Sequence, residues 1–155
     1  MSTASLDSLY QDIILDHAKR KLNSGLREPY EAEVHHVNPT CGDEITLRVH
    51  LDGDVVKDIS YENLGCSISS ASVSVMTELL VGKTLEEVEP IHAAFLEMMR
   101  GKGQVEPDED VLEDAVAFAG AAKLTARIKC ALLGWMAFQD ASAQAQSDTQ
   151  KETDK

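Results

Sequence analysis

The central part of the chain alternates apolar and polar residues so regularly that it favours only one local structure. Four apolar residues occupy every second position of one segment, namely Ile45, Leu47, Val49 and Leu51. This period of two is typical of a strand that buries one face. Asp52-Gly53-Asp54 follows as a hairpin turn signal, and Val55 to Leu64 continues as a strand. With Glu31 to Asn38 as a third strand, the sequence predicts a three-stranded antiparallel sheet with one face covered.

Helical spacing replaces this alternation on both sides of the predicted sheet. Apolar residues recur three and four positions apart. We expect helices at about Ser5–Leu22, from Cys66 to Gly82, from the capping box at Thr84 to Gly101, at Asp108–Ala119 and at Thr125–Ala143. From Gln144 the chain is polar and lacks apolar periodicity. The sequence therefore predicts one domain over residues 1–143 and a disordered tail over residues 144–155.

The acidic composition narrows the range of partners. The formal net charge is −13 over 155 residues, and such a surface repels nucleic acid and anionic membranes. It favours a partner with basic patches, although solubility alone also accounts for many acidic residues. No apolar run reaches the length of a membrane span, and Met1 to Asp7 shows no secretory signal. We therefore expect a cytoplasmic protein that binds neither nucleic acid nor a membrane.

The three cysteines carry the chemistry that the sequence suggests. Because stable disulfides are rare in a reducing compartment, the cysteines are free thiols, metal ligands or reactive groups. Cys41 lies in a turn between two predicted strands. Cys66 stands where a strand gives way to a helix, and Cys130 lies in the first turns of the last helix. The positive end of a helix stabilises a nearby thiolate, so both positions favour metal binding or reactivity.

Together with one acidic residue, the cysteines form a complete set of zinc ligands. Cys41, Asp43, Cys66 and Cys130 would supply three thiolates and one carboxylate to a tetrahedral site. The usual zinc spacings are absent, so other interpretations stay open. Small cysteines also suit a buried core, and an aspartate also suits a turn. The histidines are interpreted as structural or solvated, because they lie at the edges of helical apolar stripes or on strand faces.

Four segments, taken in order, resemble a known family. They are Leu9-Tyr10 with Ile14-Leu15-Asp16-His17, then Asn38-Pro39-Thr40-Cys41-Gly42-Asp43, then Gly65-Cys66-Ser67-Ile68-Ser69-Ser70-Ala71-Ser72, and finally Arg127-Ile128-Lys129-Cys130-Ala131-Leu132-Leu133-Gly134-Trp135. The combination resembles the SufU family, the IscU-like zinc proteins of the SUF iron–sulfur assembly system. The resemblance extends from Leu6 to about Phe138.

The resemblance implies a fold, a cofactor and a partner. The fold would be α+β, with a three-stranded antiparallel sheet packed against helices. Zinc would be bound by Cys41, Asp43, Cys66 and Cys130. The partner would be SufS, a pyridoxal-phosphate cysteine desulfurase that carries a persulfide, with SUF scaffold proteins further downstream. In the implied mechanism a histidine of the partner replaces Cys41 on the zinc, and the freed Cys41 accepts the sulfur.

Two features separate this chain from IscU itself. IscU has a histidine directly before its third cysteine, whereas this chain has Lys129, and the segment between Cys66 and Cys130 is longer here. Both features favour a stable zinc site and a zinc-dependent sulfurtransferase. The alternative is a scaffold on which an iron–sulfur cluster is assembled and transferred. A third hypothesis is a zinc-stapled module that only mediates protein contacts.

Two basic residues closely precede the third cysteine. Arg127 and Lys129 would offset the negative charge of the site or pair with the desulfurase. They are equally well interpreted as solvated cations near the start of a helix.

Overall fold

A computed structural model gives the fold, and it describes residues 3–40, 42–101 and 103–153, with side chains between Ser8 and Ser147. In chain order the elements are α1 (Thr3–Arg20), β1 (Ala32–Asn38), β2 (Asp43–Asp52), β3 (Val55–Leu64), α2 (Ser67–Leu80), α3 (Leu85–Arg100), α4 (Glu109–Leu112), a 3₁₀ helix (Glu113–Lys123) and α5 (Thr125–Thr153). Within these residues, no helix is both long and apolar enough to cross a membrane.

The three strands form an antiparallel sheet in the order β1-β2-β3. In β2 the buried residues alternate with half-buried ones, as the apolar alternation predicts. Helices α5 and α2 cover the buried face, while the other face carries polar pairs such as Arg48 and Glu33, 2.6 Å apart. The predicted sheet with one covered face, and the α+β class, are thereby confirmed.

Close packing between α2 and α5 fixes the helical layer on this sheet. A Cβ atom at Gly134 would lie 2.9 Å from the Cβ of Val73, so the two helices approach at a position that only glycine allows. Helix α3 joins them through Phe95, whose ring stacks on Trp135 at 4.0 Å between centroids. The layer therefore holds the start of α5 and the start of α2 in a fixed relation.

The predicted helix at Asp108–Ala119 differs from the structure. Only Glu109–Leu112 is α-helical, and a 3₁₀ helix from Glu113 to Lys123 replaces the rest. The break occurs at Glu113, which has a left-handed φ of 48°. Beyond it the segment buries four alanines, Ala115, Ala117, Ala121 and Ala122. Small side chains let the tighter 3₁₀ winding pack against neighbouring elements, which apolar spacing alone does not reveal.

The last helix extends past its predicted end. Helix α5 continues from Ala143 to Thr153, and Ala145 is fully buried in the core. No sequence pattern indicates this burial, because one small apolar residue in a polar stretch gives no visible periodicity. The disorder expected for the remainder of residues 144–155 stays a prediction.

Ala145 gives a direct test of where the domain ends. We expect Ala145→Gln to lower the free energy of unfolding by about 1–3 kcal/mol, because a long polar side chain must enter a filled core. Ala143→Gln is the matched control, since Ala143 is exposed, and we expect a change within about 0.5 kcal/mol. Urea denaturation measures both values. Equal, small effects would place the boundary at residue 143 after all.

Candidate metal centre

Strand periodicity buries the first side chain of β2. Asp43 has the same parity as Ile45 and Leu47, so its carboxylate points toward the core and is only 1% exposed. In the sheet it pairs with Asn38 at the end of β1, which is buried as well. Burying a carboxylate is costly unless charge or hydrogen bonds compensate it. The position of Asp43 therefore requires partners from other elements.

Cys66 supplies the first of these partners. It is the N-cap residue of α2, and its backbone N–H donates to Oδ1 of Asp43 at 3.0 Å. Its Sγ lies 3.9 Å from Oδ2 of the same carboxylate. Ser69, one turn into α2, donates its hydroxyl to the Cys66 carbonyl at 3.0 Å and fixes this corner. Asp43 thus ties the start of β2 to the positive end of α2.

Cys130 reaches the same place from α5. Its side chain is fully buried, and its Sγ lies 3.7 Å from the carbonyl oxygen of Ala126. The side-chain amide of Asn38 points at the sulfur from the sheet, with Nδ2 and Sγ 3.9 Å apart. These two contacts fix the direction of the sulfur.

The structure thus brings together three of the four residues that the sequence predicts as ligands. One donor atom from each of Asp43, Cys66 and Cys130 lies within 4.8 Å of the other two. The fourth residue, Cys41, lies outside the described residues. It stands in sequence between Asn38 and Asp43, which both belong to the site, and the Gly42 N–H donates to the Asn38 carbonyl at 2.9 Å.

Sequence reasoning gave no role to two residues that shape this centre. A Cβ atom at Gly65 would lie 2.5 Å from Oδ1 of Asp43 and from Oγ of Ser69, so glycine leaves room for the carboxylate. Asn38 is the second such residue. It is buried because it pairs with Asp43 across the sheet, and no local pattern in the sequence indicates this.

Arg127 and Lys129 line two different cavities near the start of α5. Arg127 lines a cavity of about 580 Å³ together with Cys66. Lys129 lines a smaller groove of about 340 Å³ with Asn38 and Thr40. Both side chains are exposed, and within the described part of the chain neither forms an ion pair with a carboxylate.

Two of the histidines form hydrogen bonds that explain their positions. His92 is buried and its Nε2 donates to the Trp135 carbonyl at 2.9 Å; burial lowers its pKa, against the effect of that hydrogen bond. His36 donates to Asp140 at 2.9 Å, and this hydrogen bond lowers the pKa of Asp140. The structural interpretation of these two histidines agrees with their contacts.

The donor set fits a divalent cation. Two sulfurs and a buried carboxylate face one another, and no lysine, arginine or histidine pairs with Asp43 among the residues described. Two thiolates and a carboxylate suit zinc, which prefers sulfur, nitrogen and oxygen in a tetrahedral arrangement. Fold and site together define a class: α+β proteins with a thiolate–carboxylate metal centre where the sheet meets two helices.

Comparison with known proteins assigns the chain within this class. Residues 9–131 match the family model of the NifU-like N-terminal domain, and the chain belongs to that family. It is 44% identical over 138 residues to the zinc-dependent sulfurtransferase SufU of Bacillus subtilis, which covers 88% of this chain and 90% of the relative. It is 42% identical over 149 residues to the iron–sulfur cluster assembly scaffold protein IscU of Streptococcus pyogenes, with 94% and 92% covered.

A solved structure agrees with this assignment. The crystal structure of a SufU protein from Fervidobacterium islandicum AW-1 matches with a TM-score of 0.79 at 34% identity, over 91% of this chain and 99% of that one. The expected membership of the SufU and IscU group is thereby confirmed.

The tight space at Gly65 leads to a prediction about metal affinity at the centre. We expect Gly65→Ala to displace the Asp43 carboxylate and to weaken metal binding by about 10–100-fold, as changes beside a ligand commonly do. Gly120→Ala is the control, because a Cβ atom at Gly120 meets no atom within 4 Å. Competition with a chromophoric chelator measures both affinities. Unchanged affinity in Gly65→Ala would show that the carboxylate is not needed at its present position.

Asp43 has a structural hydrogen bond as well as a candidate ligand atom, and two substitutions separate these roles. Asp43→Asn keeps an oxygen that can accept from the Cys66 N–H but removes the charge, whereas Asp43→Ala removes both. We expect both variants to bind metal more weakly. Without metal, only Asp43→Ala should lose stability, by about 1–3 kcal/mol, because it leaves a donor unsatisfied. Full metal affinity in Asp43→Asn would make Asp43 a purely structural residue.

Proposed function

We propose that this chain is an iron–sulfur cluster assembly protein that binds zinc and accepts sulfur from a cysteine desulfurase. The observation that carries the proposal is the convergence of Asp43, Cys66 and Cys130 from three separate elements on one buried point. The name of the Bacillus subtilis relative, a zinc-dependent sulfurtransferase, supports zinc as the metal and sulfur transfer as the activity.

We assign four ligands to the zinc: Cys41, Asp43, Cys66 and Cys130. With Cys41 the described donors make three thiolates and one carboxylate, a closed tetrahedral set. When bound, zinc keeps these thiols deprotonated and adds its binding energy to the stability of the fold.

Of the three cysteines, Cys41 is the one we assign as sulfur acceptor. Cys130 is fully buried within α5, and Cys66 is held at the N-cap of α2 by its hydrogen bond to Asp43. The Cys130 sulfur cannot reach another protein without disturbing α5, and Cys66 is partly buried at a fixed helix end. Cys41 lies in sequence between the end of β1 and the start of β2, and connections that a rigid scaffold positions commonly carry reactive groups.

The proposed transfer is a thiol exchange that balances without a redox partner. The Cys41 thiolate attacks the terminal sulfur of a cysteine persulfide on the desulfurase. A bond forms between Cys41 and that sulfur, and the bond to the donor cysteine breaks. The donor leaves as a thiolate, and Cys41 then carries the persulfide. A downstream scaffold protein of the SUF system would consume it by the same exchange.

The surroundings of the centre suit a protein as the sulfur donor. Leu64, which precedes Gly65, is 69% exposed, and Leu124, which lines the cavity beside Cys66, is 58% exposed. Exposed leucines at the edge of a site are typical of protein contacts. Arg127 lines the same cavity as Leu124, and Lys129 lines the separate groove beside Asn38. We assign to these cations either the balance of the site's negative charge or a pairing with the desulfurase, SufS.

A second function, cluster scaffolding, is favoured by the names of several relatives. The Streptococcus pyogenes and Thermotoga maritima relatives are named scaffold proteins, and the Fervidobacterium islandicum structure is named as that of a scaffold protein for the SUF system. Against it stands Lys129, because IscU has a histidine at this position and a lysine ammonium is a poor metal ligand. Metal analysis separates the two functions: the sulfurtransferase should purify with about one zinc per chain, whereas a scaffold should carry iron and sulfide in place of zinc.

Substitution of Cys41 tests the acceptor role. We expect Cys41→Ser to abolish stimulation of a SUF cysteine desulfurase, because a hydroxyl cannot form a persulfide. Mass spectrometry of the wild-type chain after incubation with desulfurase and cysteine should show added sulfur on Cys41. Cys66→Ala and Cys130→Ala should also lose activity, but through metal loss and partial unfolding visible by circular dichroism. A stable persulfide on Cys130 with Cys41 unmodified, in folded zinc-loaded protein, would contradict the assignment.

A further inference from the structure

A second group of metal-type donors lies where α1, α2 and the 3₁₀ helix meet. The Nε2 atom of His17 lies 3.3 Å from a carboxylate oxygen of Glu78 and 3.7 Å from one of Asp114. One donor atom from each residue lies within 4.8 Å of the other two. Glu78 is twelve residues beyond Cys66 along α2, which places the group roughly 18 Å from the thiolate centre by the helical rise.

His17 is held as a metal-binding histidine would be held. Its side chain is 1% exposed, and its Nδ1 lies 3.0 Å from the hydroxyl of Ser74. That hydroxyl also accepts the backbone N–H of Leu22 at 3.0 Å, so the ring is anchored to two elements. The opposite nitrogen, Nε2, points at the two carboxylates. A ring with one nitrogen fixed by an outer partner and the other presented to acidic groups is typical of histidine ligands.

Among the described residues, no lysine or arginine forms an ion pair that would neutralise these two carboxylates. Both are about half exposed, and within the described chain neither Glu78 nor Asp114 pairs with a lysine or arginine. Lys83 lines the adjoining cavity, but its ammonium donates to the Leu79 carbonyl at 2.7 Å. Two carboxylates therefore share one imidazole, and the group keeps negative charge even when that imidazole is protonated.

One further cation lies nearby. Nη2 of Arg20 lies 3.5 Å from Nε2 of His17, and the same atom makes an ion pair of 2.7 Å with Asp16. A guanidinium donates hydrogen bonds and accepts none, so this contact is compatible with a lone pair on Nε2. Arg20 is 47% exposed and already neutralised by Asp16, so its side chain can turn away.

We propose that His17, Glu78 and Asp114 form a second metal site, for a divalent first-row transition ion, separate from the thiolate centre. One imidazole and two carboxylates suit Mn²⁺, Fe²⁺ or Zn²⁺, whereas soft ions such as Cu⁺ prefer the sulfurs. Three protein ligands leave further coordination positions to water or a small ligand, so the ion would be exchangeable. The ligands come from three elements, and the site therefore depends on their packing.

Manganese titration of the full chain loaded with one equivalent of zinc, which the thiolate centre takes up, tests the proposal, because Mn²⁺ competes poorly for thiolates. Loss of the electron paramagnetic resonance signal of free Mn²⁺ should reveal one saturable equivalent per chain. Bound Mn²⁺ should broaden the ring signals of His17 before those of the other histidines. The double variant Glu78→Gln with Asp114→Asn should weaken this binding by about 10-fold or more, since even outer-shell changes cost about 10–100-fold.

A matched control distinguishes a specific metal site from diffuse attraction of Mn²⁺ to an acidic surface. Glu89→Gln with Glu97→Gln removes the same charge from two exposed positions of α3, and should leave the saturable equivalent intact. Three outcomes would overturn the proposal: no saturable equivalent, equal weakening in both double variants, or broadening that does not favour His17. None of these outcomes bears on sulfur transfer, which Cys41→Ser tests separately.

Discussion

The buried carboxylate of Asp43 is the constraint on which the functional end of the molecule depends. An isolated charge in the core costs several kcal/mol, and a single backbone N–H from Cys66 offsets only about 1.5–3 kcal/mol of that. The remaining cost calls for a cation among the neighbours of Asp43, and the two sulfurs supply donors for one. Gly65 is required because the carboxylate occupies the space of its side chain. A metal bound at this corner would therefore also stabilise the local fold.

Helix α2 connects this corner to the rest of the molecule. It is buried on almost every side although its sequence is rich in serine, and its hydroxyl groups are satisfied by other elements. Ser72 donates to the Ala131 carbonyl at 2.6 Å and accepts from the indole of Trp135 at 3.0 Å. Ser74 contacts His17 of α1. Fully satisfied buried polar groups fix orientation more strictly than apolar packing does. The rotation of α2 is thereby set, with Cys66 at the sheet and Glu78 at the opposite surface.

The sequence predicts what depends on local pattern and leaves out what depends on packing between elements. The apolar alternation in β2 predicts the sheet. When that alternation is continued by two residues toward the N-terminus, it places Asp43 on the side that faces the core. The helix starts near Cys66 and Cys130 follow from apolar spacing. Three features do not follow from the sequence pattern, because each arises from contacts with residues distant in sequence. They are the 3₁₀ winding after Glu113, the burial of Ala145 and the position of the Asn38 amide beside Cys130. The grouping of His17 with Glu78 and Asp114 likewise requires three elements in place.

The charges of this acidic protein have a consequence for any partner that approaches the thiolate centre. The net charge of −13 attracts a basic surface from a distance, but a uniform field does not select an orientation. Arg127 and Lys129 interrupt that field near the start of α5, where they line two separate grooves. If a desulfurase docks here, as we propose, acidic groups opposite these two cations would favour one orientation, because like-charge contacts penalise the others. In that proposal the acidic surface accelerates encounter, and the two cations select the productive complex.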